Sequence, residues 1–177
     1  MTKITTIPQL LEHLAECNSE ELKSVYKLLD IPKHEFEPYM HWSNQAYTRN
    51  CIIRTDDYEL LLLCWEKDQA SPIHSHNNQE CWVYNAMGKF EEIRFTQDQK
   101  GELQQVNDFK LNEQNFSYMN DQIGFHILKN SYNGRSASLH LYAKPIDECL
   151  VYNEDNHQFE LTRLLYHSIS GKLSVTI

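Results

Sequence analysis

The sequence predicts a mainly β protein of the jelly-roll type, a barrel of many short strands preceded by a small helical cap. From residue 46 onward, runs rich in β-branched, aromatic or leucine residues alternate with clusters of Asp, Asn, Gly and Gln. Before residue 42, apolar residues recur at helical spacing instead. A length of 177 residues without a low-complexity linker fits one domain. We therefore expect a single domain over residues 1–177, with the cap at 1–42 and the barrel at 46–177.

The cap is predicted to hold two amphipathic helices and a third short one. Leu10, Leu11 and Leu14 give the first helix an apolar stripe. Asn18 and Glu21 stand at the spacing of a capping box and predict the start of a second helix. Its apolar residues follow at i, i+3, i+4 and i+7, namely Leu22, Val25, Tyr26 and Leu29. A proline at position 32 is expected to end this helix, and a further short helix is expected at about 34–40.

The barrel strands are predicted from their β-rich composition. They are expected at Tyr47 to Arg54, Tyr58 to Glu66, Ser71 to His76, Cys81 to Asn85, Lys89 to Phe95, Gly124 to Lys129, Ser136 to Ala143 and Leu164 to Ile177. The polar segment at 96–105 contains a glycine and is expected to be a loop.

One predicted strand has a polar face. Ser138, His140 and Tyr142 alternate with an alanine and two leucines, so the two sets point to opposite sides of a sheet. Three hydrogen-bonding side chains would be costly against a dry core without partners. We expect the polar face to line a barrel interior that holds a metal and a ligand. The apolar face should pack beneath the cap or a second sheet.

Composition excludes several classes of partner. A net charge of −9 without a basic cluster disfavours nucleic acid, so a small substrate is expected. No run of about 18 apolar residues is present, so no membrane span is expected. Five widely spaced cysteines without a C-x-x-C pair, and no secretory apolar core near the start, favour a reduced, cytoplasmic protein. The sequence does not determine the oligomeric state, and a monomer is our expectation.

Three histidines are candidate metal ligands. His74 and His76 lie one residue apart on a predicted extended segment, so they should face the same side, and His126 can complete the set. This pattern resembles the two metal motifs of the cupin barrel. The alternatives are that the pair is exposed on a strand and that His126 is a satisfied core histidine. A fourth cupin ligand is usually a carboxylate that follows the second histidine after three or four intervening residues, and here Glu80 and Cys81 occupy those two positions. The sequence does not decide between them, and we treat Glu80 as a solvated charge.

Seven motifs in sequence order resemble cysteine dioxygenase. They are Tyr47-Thr48-Arg49-Asn50, Leu63-Cys64-Trp65, Pro72-Ile73-His74-Ser75-His76, Cys81-Trp82, Tyr118-Met119-Asn120-Asp121, Ile123-Gly124-Phe125-His126 and Ser138-Leu139-His140-Leu141-Tyr142. The resemblance runs from about residue 45 to the Tyr166-His167-Ser168 segment. It implies oxidation of the L-cysteine thiol by O2 to cysteine sulfinate at a mononuclear non-haem Fe(II) site.

The resemblance also implies individual roles. His74, His76 and His126 match the iron ligands, and imidazole suits Fe(II), although ligand type alone does not exclude nickel, copper or cobalt. Arg49 matches the anchor of the substrate carboxylate, because a guanidinium forms paired bonds with a planar carboxylate. Tyr47 lies two residues earlier and is expected to line the same pocket. For Arg49 alone, a surface salt bridge is the alternative.

The polar strand matches a catalytic group of the family. Tyr142 is implied to hydrogen-bond near the substrate carboxylate, with His140 orienting the phenol and Ser138 bonding His140. Cys81 matches a cysteine that forms a thioether with this tyrosine in some members, so we predict a partial Cys81–Tyr142 crosslink. The alternative is a buried, unmodified thiol. The family's Ser-Pro-Pro after the tyrosine is Ala-Lys-Pro here, which puts a cis bond in that turn in doubt.

Two other functions remain open on the sequence alone. The first is a dioxygenase for 3-mercaptopropionate or another thiol, although the Tyr-x-Arg arrangement favours cysteine. The second, from a different class, is a non-catalytic cupin that binds a metal or small ligand.

Overall fold

The protein was analysed as a computed structural model that describes residues 2–174. The cap contains helices α1 (Ile7–Glu16) and α2 (Ser19–Leu22), followed by 3₁₀ helices at Val25–Leu28 and Lys33–Tyr39. The strands are β1 (Thr48–Arg54), β2 (Glu59–Trp65), β3 (Cys81–Met87), β4 (Phe90–Gln97), β5 (Leu103–Leu111), β6 (Phe116–Met119), β7 (Phe125–Asn130), β8 (Ser136–Tyr142), β9 (Glu148–Asn153), β10 (Gln158–Arg163), β11 (Ser168–Ile169) and β12 (Lys172–Leu173). None of the described helices is both long and apolar enough to cross a membrane.

The cap confirms the first predicted helix and the capping box, but not a continuous second helix. Asn18 accepts hydrogen bonds from two backbone N–H groups of α2, and the Glu21 side chain accepts from the Asn18 N–H. The prediction that this helix continues to Leu29 is wrong, because α2 ends at Leu22 and a 3₁₀ turn follows. The cause is tertiary: Ile4 pairs with both neighbours of Leu29, which pulls the chain into an extended conformation there.

Most predicted strands are confirmed with small shifts at their ends. The predicted loop at 96–105 is wrong, because β4 continues to Gln97 and β5 begins at Leu103. The pattern was missed because β5 is largely exposed on both faces and so lacks an apolar alternation. The hairpin of β9 and β10 was also missed, and β10 is exposed along most of its length. The C-terminal run contains two strands of two residues each, and its last part, 175–177, lies outside the described residues.

The strands form two main sheets. The larger sheet has the order β12-β11-β1-β2-β8-β3-β6, and the smaller one the order β5-β4-β7. A separate pair, β10-β9, reaches the smaller sheet through single bridges from His74 to His126 and to Val151. The two sheets and the β10-β9 pair thus enclose the interior of the barrel.

The two faces of the larger sheet bury different apolar clusters. On the outer face, Leu60 of β2 and Leu139 of β8 pack in one cluster with Leu10 and Leu14 of α1. On the inner face, residues of β1, β2, β3 and β8 pack against Phe90 and Leu128 of the smaller sheet. Every residue of β2 and β8 is buried, as expected for strands covered on both sides. The predicted packing of the apolar face of β8 beneath the cap is confirmed.

Candidate active site

The three predicted ligand histidines meet in the barrel interior, although the segment that carries two of them is not a strand. His74 exchanges two backbone hydrogen bonds with His126, at 3.1 and 3.2 Å. The predicted strand Ser71 to His76 is wrong in that only isolated bridges form there. Backbone hydrogen bonds to β7 and β9 hold the segment, and the carboxylate of Asp121 fixes its end by accepting the N–H groups of His76 and Asn78 at 2.6 Å each.

Gly124 allows the third histidine to reach this position. It has a φ of +120°, in a region that side chains disfavour, and a Cβ there would overlap the carbonyl oxygen of Phe95. The absence of that atom lets β7 begin directly against β4. Its second residue, His126, then points inward.

The histidine geometry suits one metal ion. Each ring offers a nitrogen, and these atoms lie within 4.8 Å of one another. The centroids of the rings of His74, His76 and His126 are 4.6 to 5.3 Å apart. Burial, together with the neighbouring His126, lowers the pKa of His74 to about 3. Burial likewise lowers the pKa of His76 well below its usual value, with His126 adding to the effect. These two rings are therefore neutral and keep the lone pairs that metal binding requires.

A buried carboxylate behind this cluster was missed by the sequence reasoning. Glu92 is 0% exposed, and its Oε1 lies 3.3 Å from Nδ1 of His126 and 2.8 Å from Nε of Arg94. Burial alone would raise the pKa of Glu92, but the neighbouring His126, Ser117 and Arg94 outweigh it and lower the pKa. The available signal was the alternation Phe90, Glu92, Arg94 in a predicted strand, which puts two charges on an inward face.

A small cavity opens beside the histidines. Of the predicted site residues, it is lined by Tyr47, Arg49, His74, His126, His140 and Tyr142. His76, Cys81 and Ser138 are not among the residues that line it. The sequence reasoning did not single out Cys149, which also lines the cavity. A space of this size fits a small molecule rather than a polymer.

Arg49 presents an unpaired positive group to the cavity. Its side chain is almost fully buried, and Nε and one terminal nitrogen have no hydrogen-bond partner among the described residues. The ring of Tyr166 lies 6.0 Å from the guanidinium carbon. Tyr47 stacks on Trp65 with ring centroids 4.3 Å apart, which fixes one wall of the cavity. A buried guanidinium without a partner is costly, so this arrangement favours binding of an anion.

A hydrogen-bond chain determines which nitrogen of His140 carries the proton. The indole N–H of Trp65 donates to Oγ of Ser138 at 3.0 Å, and this oxygen lies 2.8 Å from Nε2 of His140. The Ser138 hydroxyl has no other acceptor within hydrogen-bond distance among the described residues, so it donates its own hydrogen to Nε2. Burial lowers the pKa of His140 well below its usual value, so the ring is neutral and its hydrogen is on Nδ1. That atom lies 3.9 Å from Sγ of Cys81.

Cys81 and Tyr142 are direct cross-strand partners of β3 and β8. Burial raises the pKa of the Cys81 thiol, with the Tyr142 hydroxyl acting in the opposite direction. Burial also raises the pKa of Tyr142 well above its usual value, and nearby Cys81 raises it further. The phenol is therefore neutral and able to donate a hydrogen bond. The rings of His140 and Tyr142 stack at 6.3 Å, and the described residues include no hydrogen bond between them.

The neighbouring Glu80 is not the solvated charge that the sequence suggested. Its carboxylate is half-buried and accepts a hydrogen bond from the hydroxyl of Tyr118 at 2.7 Å. The candidate metal cluster of the described residues contains only the three histidines. The turn after Tyr142 has no cis peptide bond, like the rest of residues 2–174.

Comparison with solved structures defines the class of the protein. Its fold is similar to that of a double-stranded β-helix protein from Klebsiella pneumoniae, with a TM-score of 0.52, 15% identity and coverage of 72% of this chain and 94% of that one. A protein from Thermus thermophilus gives a TM-score of 0.51 at 13% identity, covering 62% and 93% of the two chains. The fold is thus of the cupin, or double-stranded β-helix, type, and it carries a candidate three-histidine metal site.

Sequence comparison then gives the family. The family model for cysteine dioxygenase type I matches residues 1–155. Human cysteine dioxygenase type 1 is 29% identical over 160 residues, which is 88% of this chain and 80% of the human protein. The Danio rerio cysteine dioxygenase type 1 is 24% identical over 174 residues, covering 96% and 86% of the two chains. The chain belongs to the cysteine dioxygenase type I family.

Proposed function

We propose that this protein oxidises the thiol of L-cysteine with O2 to cysteine sulfinate, at Fe(II) held by His74, His76 and His126. One observation supports the proposal above all: the neutral imidazole of His74 and the unpaired, buried guanidinium of Arg49 face the same small cavity. One thiol and one O2 give one sulfinic acid that keeps both oxygen atoms. The reaction therefore needs no external reductant.

The donor set fits ferrous iron. Imidazole nitrogen is a suitable ligand for Fe(II), and three histidines leave coordination positions for substrate and O2. When bound, Fe(II) supplies the redox chemistry that O2 activation requires and that zinc lacks. The half-buried position of His74 at the cavity leaves a path by which the ion can enter.

Arg49 is proposed to bind the substrate carboxylate. Its Nε and terminal nitrogen lack partners within the described residues and can form two parallel bonds with a planar carboxylate. Tyr47, held flat against Trp65, limits where the rest of the substrate can lie. The thiol end of a small amino acid anchored at Arg49 would then lie toward the histidines across the cavity.

The polar face of β8 is proposed to orient the substrate. The neutral Tyr142 phenol lines the cavity and can donate a hydrogen bond to the bound carboxylate. Ser138 and Trp65 hold His140 in one tautomer, with its N–H directed toward Cys81. His140 thus acts on Tyr142 through its packing and through the Cys81 side chain. Both ring nitrogens of His140 already have partners, Ser138 and Cys81, so neither bonds the Tyr142 hydroxyl.

The Cys81–Tyr142 pair is also proposed to form a thioether during turnover. The two residues face each other across β3 and β8, so the strands already bring sulfur and ring together. A bond between sulfur and a ring carbon replaces S–H and C–H, and the two hydrogens with their electrons pass to O2.

The decisive experiment combines metal analysis with product detection. The metal-free protein is loaded with Fe(II) under anaerobic conditions, given L-cysteine and O2, and assayed for sulfinate by mass spectrometry. We expect one sulfinate per O2 consumed, and neither iron retention nor product from His126→Ala. A parallel assay uses 3-mercaptopropionate, which lacks the amine. A clear preference for that thiol would overturn the cysteine assignment, and metal binding without O2 uptake would indicate a binding protein.

A further inference from the structure

We propose that Glu92 is a positioning residue of the metal site: it accepts the Nδ1 hydrogen of His126 and so directs Nε2 of that ring into the cavity. The inference deepens the proposed function, since it rests on His126 being a metal ligand. It concerns a carboxylate that is not itself a ligand.

The sheet register places the two side chains together. β4 and β7 are antiparallel neighbours, with Arg94 directly opposite His126 and Glu92 opposite Leu128. Glu92 is therefore the diagonal neighbour of His126 on the same face of the sheet, within reach of a long side chain. Because side chains alternate along each strand, Glu92, Arg94 and His126 all project toward the interior.

Arg94 fixes the carboxylate in place. Its Nε donates to Oε1 of Glu92 at 2.8 Å, and its terminal nitrogen donates to Oγ of Ser117 and to the carbonyl of Tyr118. The guanidinium is thus held between β4 and β6, which belong to different sheets. It neutralises the buried charge of Glu92 and restricts the rotation of the carboxylate.

Glu92 and His126 each have a buried polar atom without a hydrogen-bond partner among the described residues. These atoms are Oε2 of Glu92 and Nδ1 of His126, and Oε1 of the same carboxylate lies 3.3 Å from that Nδ1. Buried polar atoms of this kind are costly unless they are paired. A small rotation of the His126 ring aligns its Nδ1 hydrogen with Oε1 and so satisfies Nδ1.

The pairing decides which nitrogen faces the metal. A neutral imidazole carries one hydrogen, and a carboxylate that accepts it at Nδ1 leaves the Nε2 lone pair free. His74 has an equivalent arrangement, since its Nδ1 lies 3.0 Å from the carbonyl oxygen of Pro72. A carbonyl is neutral, whereas a carboxylate also makes the ring a stronger donor. Among the three histidines, His126 alone has a charged acceptor at this distance in the described structure.

The test compares Glu92→Gln with Glu91→Gln. Glu91 is the adjacent residue, half-buried on the opposite face of β4 between Lys110 and Lys129, so its variant removes the same charge away from the site. Fe(II) affinity is measured anaerobically against a competing chelator, and thermal unfolding is measured with and without Fe(II). For Glu92→Gln we expect affinity to fall by about 10- to 100-fold and the metal-dependent rise in unfolding temperature to shrink. Glu91→Gln should match wild type.

Equal Fe(II) affinity in Glu92→Gln and wild type would overturn the inference. If Glu92→Gln does not fold, nitrogen NMR of the wild-type protein loaded with Zn(II) decides instead. We expect a hydrogen on Nδ1 of His126 and metal on Nε2, and the reverse would overturn the inference. Failure of the proposed function looks different: wild type would hold Fe(II) at His126, with the Glu92 dependence intact, yet form no sulfinate.

Discussion

Replacing Arg49 by Gln should weaken binding of L-cysteine without affecting the metal. The side chain is 7% exposed and makes no hydrogen bond through Nε or one terminal nitrogen within the described residues. In the proposed complex these two groups pair with the substrate carboxylate. Gln keeps a polar side chain of moderate size but loses the charge and the paired geometry, so the change removes the recognition element with little added space.

The magnitude follows from those two bonds. Charge-assisted hydrogen bonds contribute about 1.5–3 kcal/mol each, and a glutamine donor would recover about 1 kcal/mol of the total. A net loss of about 3 kcal/mol corresponds to a roughly hundredfold increase in KM for L-cysteine. Because Arg49 faces the cavity rather than the histidine nitrogens, the iron content of the variant should equal that of wild type.

Cysteamine makes the assay specific, since it is cysteine without the carboxylate. Wild type should strongly prefer L-cysteine over cysteamine, and Arg49→Gln should lose most of that preference while treating cysteamine as wild type does. Arg163→Gln, which changes an exposed arginine on β10, is the matched control. An unchanged KM for L-cysteine, or an equal loss for both thiols, would refute the assigned role. So would a loss of iron in the Arg49 variant.

Two further predictions concern the crosslink and the pH dependence of stability. After incubation with Fe(II), L-cysteine and O2, a thiol titration of the denatured protein should find fewer free thiols than the five cysteines of the sequence, and the mass should fall by roughly two hydrogens. The Tyr142→Phe variant should keep all five thiols. An unchanged wild-type mass would contradict the Cys81–Tyr142 bond. Burial, together with Arg49, lowers the pKa of His167, whose neutral Nδ1 accepts the Arg49 backbone N–H at 3.1 Å. The unfolded chain therefore binds a proton more readily, so this contribution to the free energy of unfolding is complete above pH about 6.5 and declines as the pH falls. When metal-free protein is unfolded with urea, the free energy of unfolding should fall more for wild type than for His167→Asn between pH 7 and 5. An equal fall for both proteins would contradict this account.

Local patterns of the sequence were sufficient for a large part of the fold. The alternation of β8 predicted both its polar inner face and its apolar face beneath the cap. The spacing of Asn18 and Glu21 predicted a capping box that is present in full. The pair His74 and His76 and the Gly-x-His at 126 identified the histidine cluster from sequence alone. These features follow from the periods of helices and strands, which depend on neighbouring residues.

Only the tertiary structure decided how distant segments meet. The second cap helix stops early because Ile4 pairs beside Leu29, and the segment of His76 is held by isolated bridges and by Asp121 rather than by a regular strand ladder. The partnership of Glu92 with His126 depends on the register between β4 and β7, which no local pattern encodes. A one-residue shift of that register would turn Glu92 away from the cavity. Sequence thus determined which side chains face inward, and long-range strand pairing determined which of them touch.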